Sequence, residues 1–263
     1  MPISVDFAKV VEAVQQTREI VLDKKLKSDI VVKGEADFVT SVDFKISKLI
    51  GEKLAVITPD IGFMSEEESA VPKGTRWILD PIDGTTNLIY DYNMCSVSLA
   101  LCVDEIIVFG VVYNPFNGDL FVAKKGEGAY YNGQRMGKAP DREINKCLIE
   151  FGAGATKKHQ TELAFSVAKR VFSKCLDLRR ICSSALSICY NAAGKINGYF
   201  EKELKPWDYA AAGLILEECG GKITDWQGQK INYIEPCSIV CGTPKAYDFL
   251  IKTVSESEKE FKL

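Results

Sequence analysis

The run Asp80-Pro81-Ile82-Asp83-Gly84-Thr85-Thr86-Asn87, directly after the apolar Trp77-Ile78-Leu79, constrains this chain more than any other segment. Trp77-Ile78-Leu79 reads as a strand. Proline has no N–H for a sheet ladder, so the strand is expected to stop at Pro81 and leave Asp80 and Asp83 on one tight turn at its carboxyl end. Two carboxylates then share one small volume. Gly84 permits close backbone approach, and the amides of Gly84 and Thr85 can open a helix whose N-terminus attracts an anion. The alternative is that Asp80 and Asp83 only cap a turn, which for an isolated D-x-x-D is the preferred reading.

The chain supplies more acids of the same kind at three further places, each with a plain reading of its own. Asp208 follows Trp207 and opens a helix, Tyr209 to Glu218, that ends at Gly220-Gly221; alone it reads as an N-cap. Glu66-Glu67-Glu68 follows a strand-like run, Ile61-Gly62-Phe63-Met64, and alone reads as a solvated loop. Asp43 falls in the first turn of a helix begun by Val39-Thr40-Ser41-Val42, where an acid suits the helix dipole.

Converging carboxylates cannot remain charged and bare. Two unit charges ~4 Å apart repel by ~4 kcal/mol at an effective dielectric of ~20, so such a cluster takes up protons unless cations intervene. Oxygen ligands without Cys or His select Mg²⁺, Mn²⁺ or Ca²⁺ over zinc. The formal net charge of −3 repels a phosphate at long range, so attraction has to come from local cations.

Other chemistries are excluded by what the chain lacks. His159 is the single histidine and stands in the charged Lys157-Lys158-His159-Gln160, which reads as an exposed helix start, so a histidine mechanism has no support. No cysteine is followed six places on by arginine, and there is no G-x-x-x-x-G-K-[ST]. The nine cysteines form no C-x-x-C pair and read as buried reduced thiols. With 46% hydrophobic residues in 263, the chain can bury a large core as one domain or two small ones. No apolar run approaches the roughly 18 residues of a membrane span, and Met1-Pro2-Ile3-Ser4-Val5-Asp6 lacks an export signal, so the expectation is a cytoplasmic protein with no membrane and no nucleic-acid partner.

Along the chain, Phe7, Val10, Val11, Val14, Val21 and Leu22 share a helical face, giving an N-terminal amphipathic helix that ends near Lys27-Ser28-Asp29. Residues 94–136 read as an antiparallel meander of four strands (94–103, 106–113, 120–123, 129–131), with a hairpin signal at Asn132-Gly133. After about residue 140, short strands at 148–151, 176–181 and 238–241 alternate with helices. The expected division is an N-terminal α+β half, 1–140, and a C-terminal α/β half, 141–263.

The strings DPIDGTTN, the upstream SEE and the downstream PWDYAAAG with its trailing ECGG resemble the signatures of the inositol monophosphatase family, in that family's order and spacing. The likeness extends from DFVTSVDFKI through KGEGAYYNG to the C-terminal helix, nearly the whole chain. It implies a layered αβαβα sandwich with the active site between the halves, and a lithium-sensitive phosphomonoesterase using two or three Mg²⁺ ions, with Mn²⁺ as a substitute. It implies a homodimer as well. By the same resemblance Asp80 bridges two metals; Glu66 and the Ile82 carbonyl complete one site, and Asp83 and Asp208 the other. Glu66 and Thr85 orient and activate a water. The Gly84 and Thr85 amides hold the phosphate, and Ser184 and Glu201 join Asp83 and Asp208 in contacting the rest of the substrate. Asp43 is a neighbour of Glu66 or a ligand of a third metal. The consecutive glutamates leave both Glu66 and Glu67 open as the ligand, with alignment of the preceding strand favouring Glu66.

The implied substrate is an inositol phosphate or related sugar phosphate, cleaved to the free polyol and inorganic phosphate. Glu201 falls where inositol-hydrolysing members place a glutamate, although a solvated strand end is an equal reading. Cys182 stands where many members have glycine and Ala153 where inositol enzymes often have serine, which keeps fructose-1,6-bisphosphatase and adenosine 3′,5′-bisphosphate nucleotidase activities open. A non-catalytic metal-binding scaffold is the alternative of another class.

Overall fold

The computed structural model describes residues 5–34, 37–67, 74–154 and 156–261. In chain order the elements are α1 (Phe7–Val21), a single-turn α2 (Lys24–Lys27), the hairpin β1 (Ile30–Gly34) and β2 (Asp37–Thr40), and α3 (Ser41–Ile57). Then come β3 (Gly62–Ser65), β4 (Arg76–Asp83), the short α4 (Thr85–Ile89), β5 (Ser96–Val103), β6 (Ile106–Tyr113), β7 (Leu120–Lys124), β8 (Gly128–Tyr131) and β9 (Gln134–Arg135). They are followed by β10 (Leu148–Phe151), α5 (Thr161–Phe172), β11 (Asp177–Arg179), α6 (Ser184–Ala192), β12 (Gly198–Leu204), α7 (Pro206–Glu218), β13 (Lys222–Thr224), β14 (Cys237–Gly242) and α8 (Pro244–Phe261).

Strand alternation sorts the side chains into layers. On β4 the indole of Trp77 and the side chain of Leu79 face α1 and α3, packing with Val10, Val14, Ile46 and Ile50, while Ile78 between them faces α6 and α7. On β12 the same period sends Tyr199 toward α6 and α7 and Phe200 toward α5 and α8, against Trp226 and Leu250. The molecule is therefore an αβαβα sandwich: α1 and α3, a seven-stranded sheet, α6 and α7, a five-stranded sheet, then α5 and α8. The seven-stranded sheet runs β3-β4-β5-β6-β7-β8-β9, antiparallel except for the parallel pair β3 and β4. The five-stranded sheet runs β11-β10-β12-β14-β13 and is mixed, with β10 parallel to both neighbours and β14 antiparallel to both of its own.

Several sequence expectations are corrected here. The strand carrying the acids does not stop at Pro81. It continues to Asp83, and the register with β5 slips by one residue between Asp80, opposite Ser98, and Asp83, opposite Ser96. The bulge absorbs the proline where no ladder donor is needed. The N-terminal helix ends at Val21, ahead of a separate turn at Lys24–Lys27, and Leu22 is 40% exposed. The C-terminal sheet has two strands beyond the three read from the sequence. Glu201-Lys202-Glu203 breaks the apolar pattern of β12, and β13 has only three residues, too few to show a period.

The layer between the sheets depends on one close approach. A Cβ placed on Gly110 of β6 would lie 2.7 Å from the Ala211 carbonyl oxygen and 2.9 Å from the Ala211 Cα of α7, both backbone atoms. At Gly213 in the same helix the nearest atom is 3.5 Å away, at the end of the Ile223 side chain. Gly110→Ala should therefore destabilise the fold by roughly 3 kcal/mol or more, because neither backbone can move aside cheaply. Gly213→Ala should be neutral or stabilise by up to about 1 kcal/mol through helix propensity. Urea unfolding of the two variants checks this, and similar values for both would remove the close-approach explanation.

Candidate active site

The bulge of β4 brings Asp80 and Asp83 to the face that α7 covers, and α7 supplies Asp208. One carboxylate oxygen from each of these three residues lies within 4.8 Å of the others. Asp208 is not an N-cap as its sequence position suggested. Pro206 starts the helix two residues earlier, which puts Asp208 in the first turn, where its Oδ2 accepts the Lys205 amide at 2.7 Å. Asp83 is held from across the molecule. It accepts the Ser184 and Ala185 amides at 3.0 and 2.9 Å and the Ser183 hydroxyl, so it caps the start of α6. Ser96 on β5 adds a weaker bond at 3.4 Å.

The remaining predicted residues surround this triad. Glu66 follows β3; its amide donates to the Leu79 carbonyl at 3.2 Å, and its carboxyl lies close enough to Asp80 for each to shift the other's titration. Glu67 turns instead to Lys33 on β1, with both carboxylate oxygens 2.8 Å from the ammonium. Glu68 lies outside the described residues. Asp43 is buried in the first turn of α3, where its Oδ2 accepts the Thr40 amide at 2.8 Å and the Thr40 hydroxyl at 2.7 Å in a capping box. Thr85 joins the groups: its hydroxyl lies 3.1 Å from the Ile82 carbonyl oxygen and 3.3 Å from Asp43 Oδ1. Gly84, at φ +99°, makes the turn into α4, and a Cβ there would sit 3.1 and 3.2 Å from the carbonyl oxygens of Met94 and Cys182.

These acids are electrostatically frustrated. Burial pushes Asp80 well up, and the neighbouring charges of Glu66, Asp83 and Asp208 add to it. Burial and then Asp83 do the same to Asp208. Asp83 also rises through burial, opposed by its bonds from Ser183 and the α6 amides. Glu66 is raised to about 7, by burial first and Glu67 next, and Asp43 to about 6 by burial. An all-oxygen set of this kind, without a thiolate or imidazole among its ligand atoms, suits hard divalent cations.

A cleft of about 270 Å³ opens beside the acids. Glu66, Gly84 and Thr85 line one part and Ser184, Tyr199 and Glu201 another, with Phe38 and Phe151 as apolar walls. Glu201 is only 9% exposed, which removes the solvated strand end as its reading. Its carboxylate accepts from the Gly154 amide at 3.2 Å, from Tyr199 Oη, and from Ser184 Oγ at 3.4 Å. Cys182 also lines the cleft, exposed and at φ +59°, so the cysteines are not uniformly buried; six are, Cys175 and Cys237 are half-buried, and all nine are free thiols. Ser183, Tyr199, Gly152 and Arg180 belong to this region and were not picked out as site residues from the sequence. Ser183 had a legible signal, a serine pair ahead of an apolar helical run. The others had none.

The sequence profile of the inositol monophosphatase family matches residues 3–259. The chain belongs to that family. It is 36% identical over 220 residues to a Rhizobium meliloti inositol-1-monophosphatase, covering 80% of each chain. It is 33% identical over 228 residues to the Escherichia coli Nus factor SuhB, covering 85% of each. Among solved structures, the extragenic suppressor protein suhB of Bartonella henselae superposes with a TM-score of 0.88 at 30% identity, over 94% of this chain and 97% of that one.

The raised carboxyls of this family member make the metal-free fold sensitive to pH. Folded Asp43 and Glu66 keep protons to about pH 6 and 7, whereas their ordinary values are 3.8 and 4.5. Between those limits the native state binds more protons than the unfolded chain, so stability is full below about pH 4 and declines as pH rises through 7. The unfolding temperature of chelator-treated protein should fall by roughly 5–10 °C between pH 5 and pH 8. Asp208→Asn should raise it at pH 8 by removing one repelling charge. A flat or rising profile would contradict this account.

Proposed function

We propose that this protein is a divalent-cation-dependent phosphomonoesterase acting on an inositol phosphate or a related sugar monophosphate. The observation that carries the reading is the convergence of Asp80, Asp83 and Asp208 beside a cleft that Glu66, Thr85, Ser184 and Glu201 line. Asp80 would lie between two Mg²⁺ ions, with Glu66 and the Ile82 carbonyl completing one set and Asp83 and Asp208 the other. That Glu67 is held by Lys33 while Glu66 reaches Asp80 supports Glu66 as the ligand. When bound, the cations supply positive charge against the phosphate and make a nearby water more acidic.

The chain's own groups account for the other requirements. Glu66 and Thr85 line the same part of the cleft, where the pair would orient a water and take its proton. The Gly84 and Thr85 amides open α4 toward the cleft and would take the phosphate oxygens. Glu201 and Ser184 would take ring hydroxyls. A carboxylate at that end matches hydroxyl donors and repels a second phosphate, which favours a polyol monophosphate over a sugar bisphosphate. A nucleotide 3′-phosphate is the second reading, favoured by Phe38 and Phe151, whose apolar surfaces could flank a base, and by Arg180, the one basic side chain among the described residues lining the cleft.

Release of inorganic phosphate from a panel of inositol phosphates, fructose 1,6-bisphosphate and adenosine 3′,5′-bisphosphate should be highest for an inositol monophosphate and should vanish in excess EDTA. Asp83→Asn and Asp208→Asn should each lower turnover by more than ~100-fold, since even residues behind a metal's ligands contribute ~10–100-fold; Asp208→Asn should remain folded, whereas Asp83→Asn should also lose stability because both Asp83 oxygens accept from donors at the start of α6. Full activity in chelator, or near-normal turnover in both variants, would overturn the reading.

A further inference from the structure

Tyr199 and Glu201 are two residues apart on β12, so both point to the α6 side of the five-stranded sheet. The carboxylate of Glu201 is enclosed on several sides. Tyr199 Oη bonds to its Oε2, the Gly154 amide bonds to its Oε1 at 3.2 Å, and Ser184 Oγ lies 3.4 Å from Oε2. Gly152 makes the room: a Cβ there would stand 2.0 Å from both Cδ and Oε2 of Glu201. No ordinary side chain fits at position 152 while Glu201 occupies this rotamer.

Proton counting shows what the arrangement presents to the cleft. Tyr199 has one hydroxyl proton and faces two acceptors, Glu201 Oε2 and Ser184 Oγ, the latter at 3.0 Å. The carboxylate is the stronger acceptor and draws that proton. Ser184 then has Tyr199 Oη and Glu201 Oε2 within reach of its own proton, which leaves its lone pairs toward the cleft. Glu201 and Ser184 thus both act as acceptors, matched to a pair of donor hydroxyls on a substrate ring.

We propose that Tyr199 is a positioning residue: its hydroxyl fixes the rotamer of Glu201, whose carboxylate is seated against Gly152 and Gly154, and the proton direction of Ser184, and so sets the preference for hydroxylated rings. This rests on the polyol phosphatase reading for its substrate consequence, and on the geometry alone for the positioning. The Tyr199 ring is fully surrounded by the layer between the sheets, and Tyr199→Phe keeps that packing while deleting the hydroxyl.

The test measures kcat and KM of Tyr199→Phe on inositol 1-phosphate and on phenyl phosphate, which has no ring hydroxyls, and determines the variant's crystal structure. The ratio of kcat/KM for inositol 1-phosphate to that for phenyl phosphate should fall roughly tenfold, mainly through KM, as expected for one lost hydrogen bond to a charged group. The Glu201 carboxylate should leave the Gly154 amide. Gly152→Ala, which displaces the same carboxylate from the opposite side, should shift the ratio the same way. An unmoved Glu201 overturns the proposal whatever the rates, and a moved Glu201 with an unchanged ratio, or equal losses on both esters, overturns its role in substrate choice. If the unaltered protein hydrolyses neither ester, the polyol reading fails, and the position of Glu201 in the variant still decides the role of Tyr199.

Discussion

Asp83 is the joint on which the site depends. It sits at the end of a bulged strand in the seven-stranded sheet, and its two oxygens collect the Ser184 and Ala185 amides and the Ser183 hydroxyl at the start of α6, about a hundred residues further on. Those donors are otherwise unsatisfied helix N-terminal groups, so the carboxylate stabilises the helix while the helix lowers the cost of burying the charge. The bond sets how the layer of α6 and α7 lies against β4. Asp208 rides on α7 and Ser184 on α6, so the placement of both follows from it.

The scaffold holds its acids together against their own repulsion. Burial pushes every member of the triad upward, and the neighbouring acids add to it at Asp80 and Asp208. Lys33 pairs with Glu67 and its charge also opposes the rise of Glu66, while the buried guanidinium of Arg76 is held by Glu105 and the Tyr233 carbonyl. A fold optimised only for stability would separate these groups, so their convergence is a sign of function. The supporting bonds explain how it survives: Asp43 is in a capping box, Asp208 accepts the Lys205 amide, and Asp80 accepts the Ile82 amide at 3.0 Å.

The far end of the cleft follows a different principle. Around Glu201 the chain uses hydroxyls, one amide and an absent side chain at Gly152 to aim a carboxylate into a small space. Charge at that end is matched by dipoles in fixed directions, which favours recognition of neutral donors.

The pairing of Asp80 with Asp83, the meander from residue 94 onward and the first-turn position of Asp43 were legible in the sequence, because each depends on residues within a few positions of one another. Period-two alternation, an Asn-Gly turn and a helix's first turn are local signals, and the family strings extended them to the layered fold. Other features depended on distant segments. Whether Pro81 ends a strand or sits in a bulge depends on how β5 registers beside it, and whether Glu201 is solvated depends on α6 and on the loop carrying Gly152 and Gly154. That Glu67 pairs with Lys33, on a hairpin thirty-odd residues earlier, is likewise outside the reach of local signals. Local chemistry specified which groups were available, and tertiary packing decided which of them face one another, because burial and carboxylate orientation are properties of the surrounding segments and not of the residue that carries the charge.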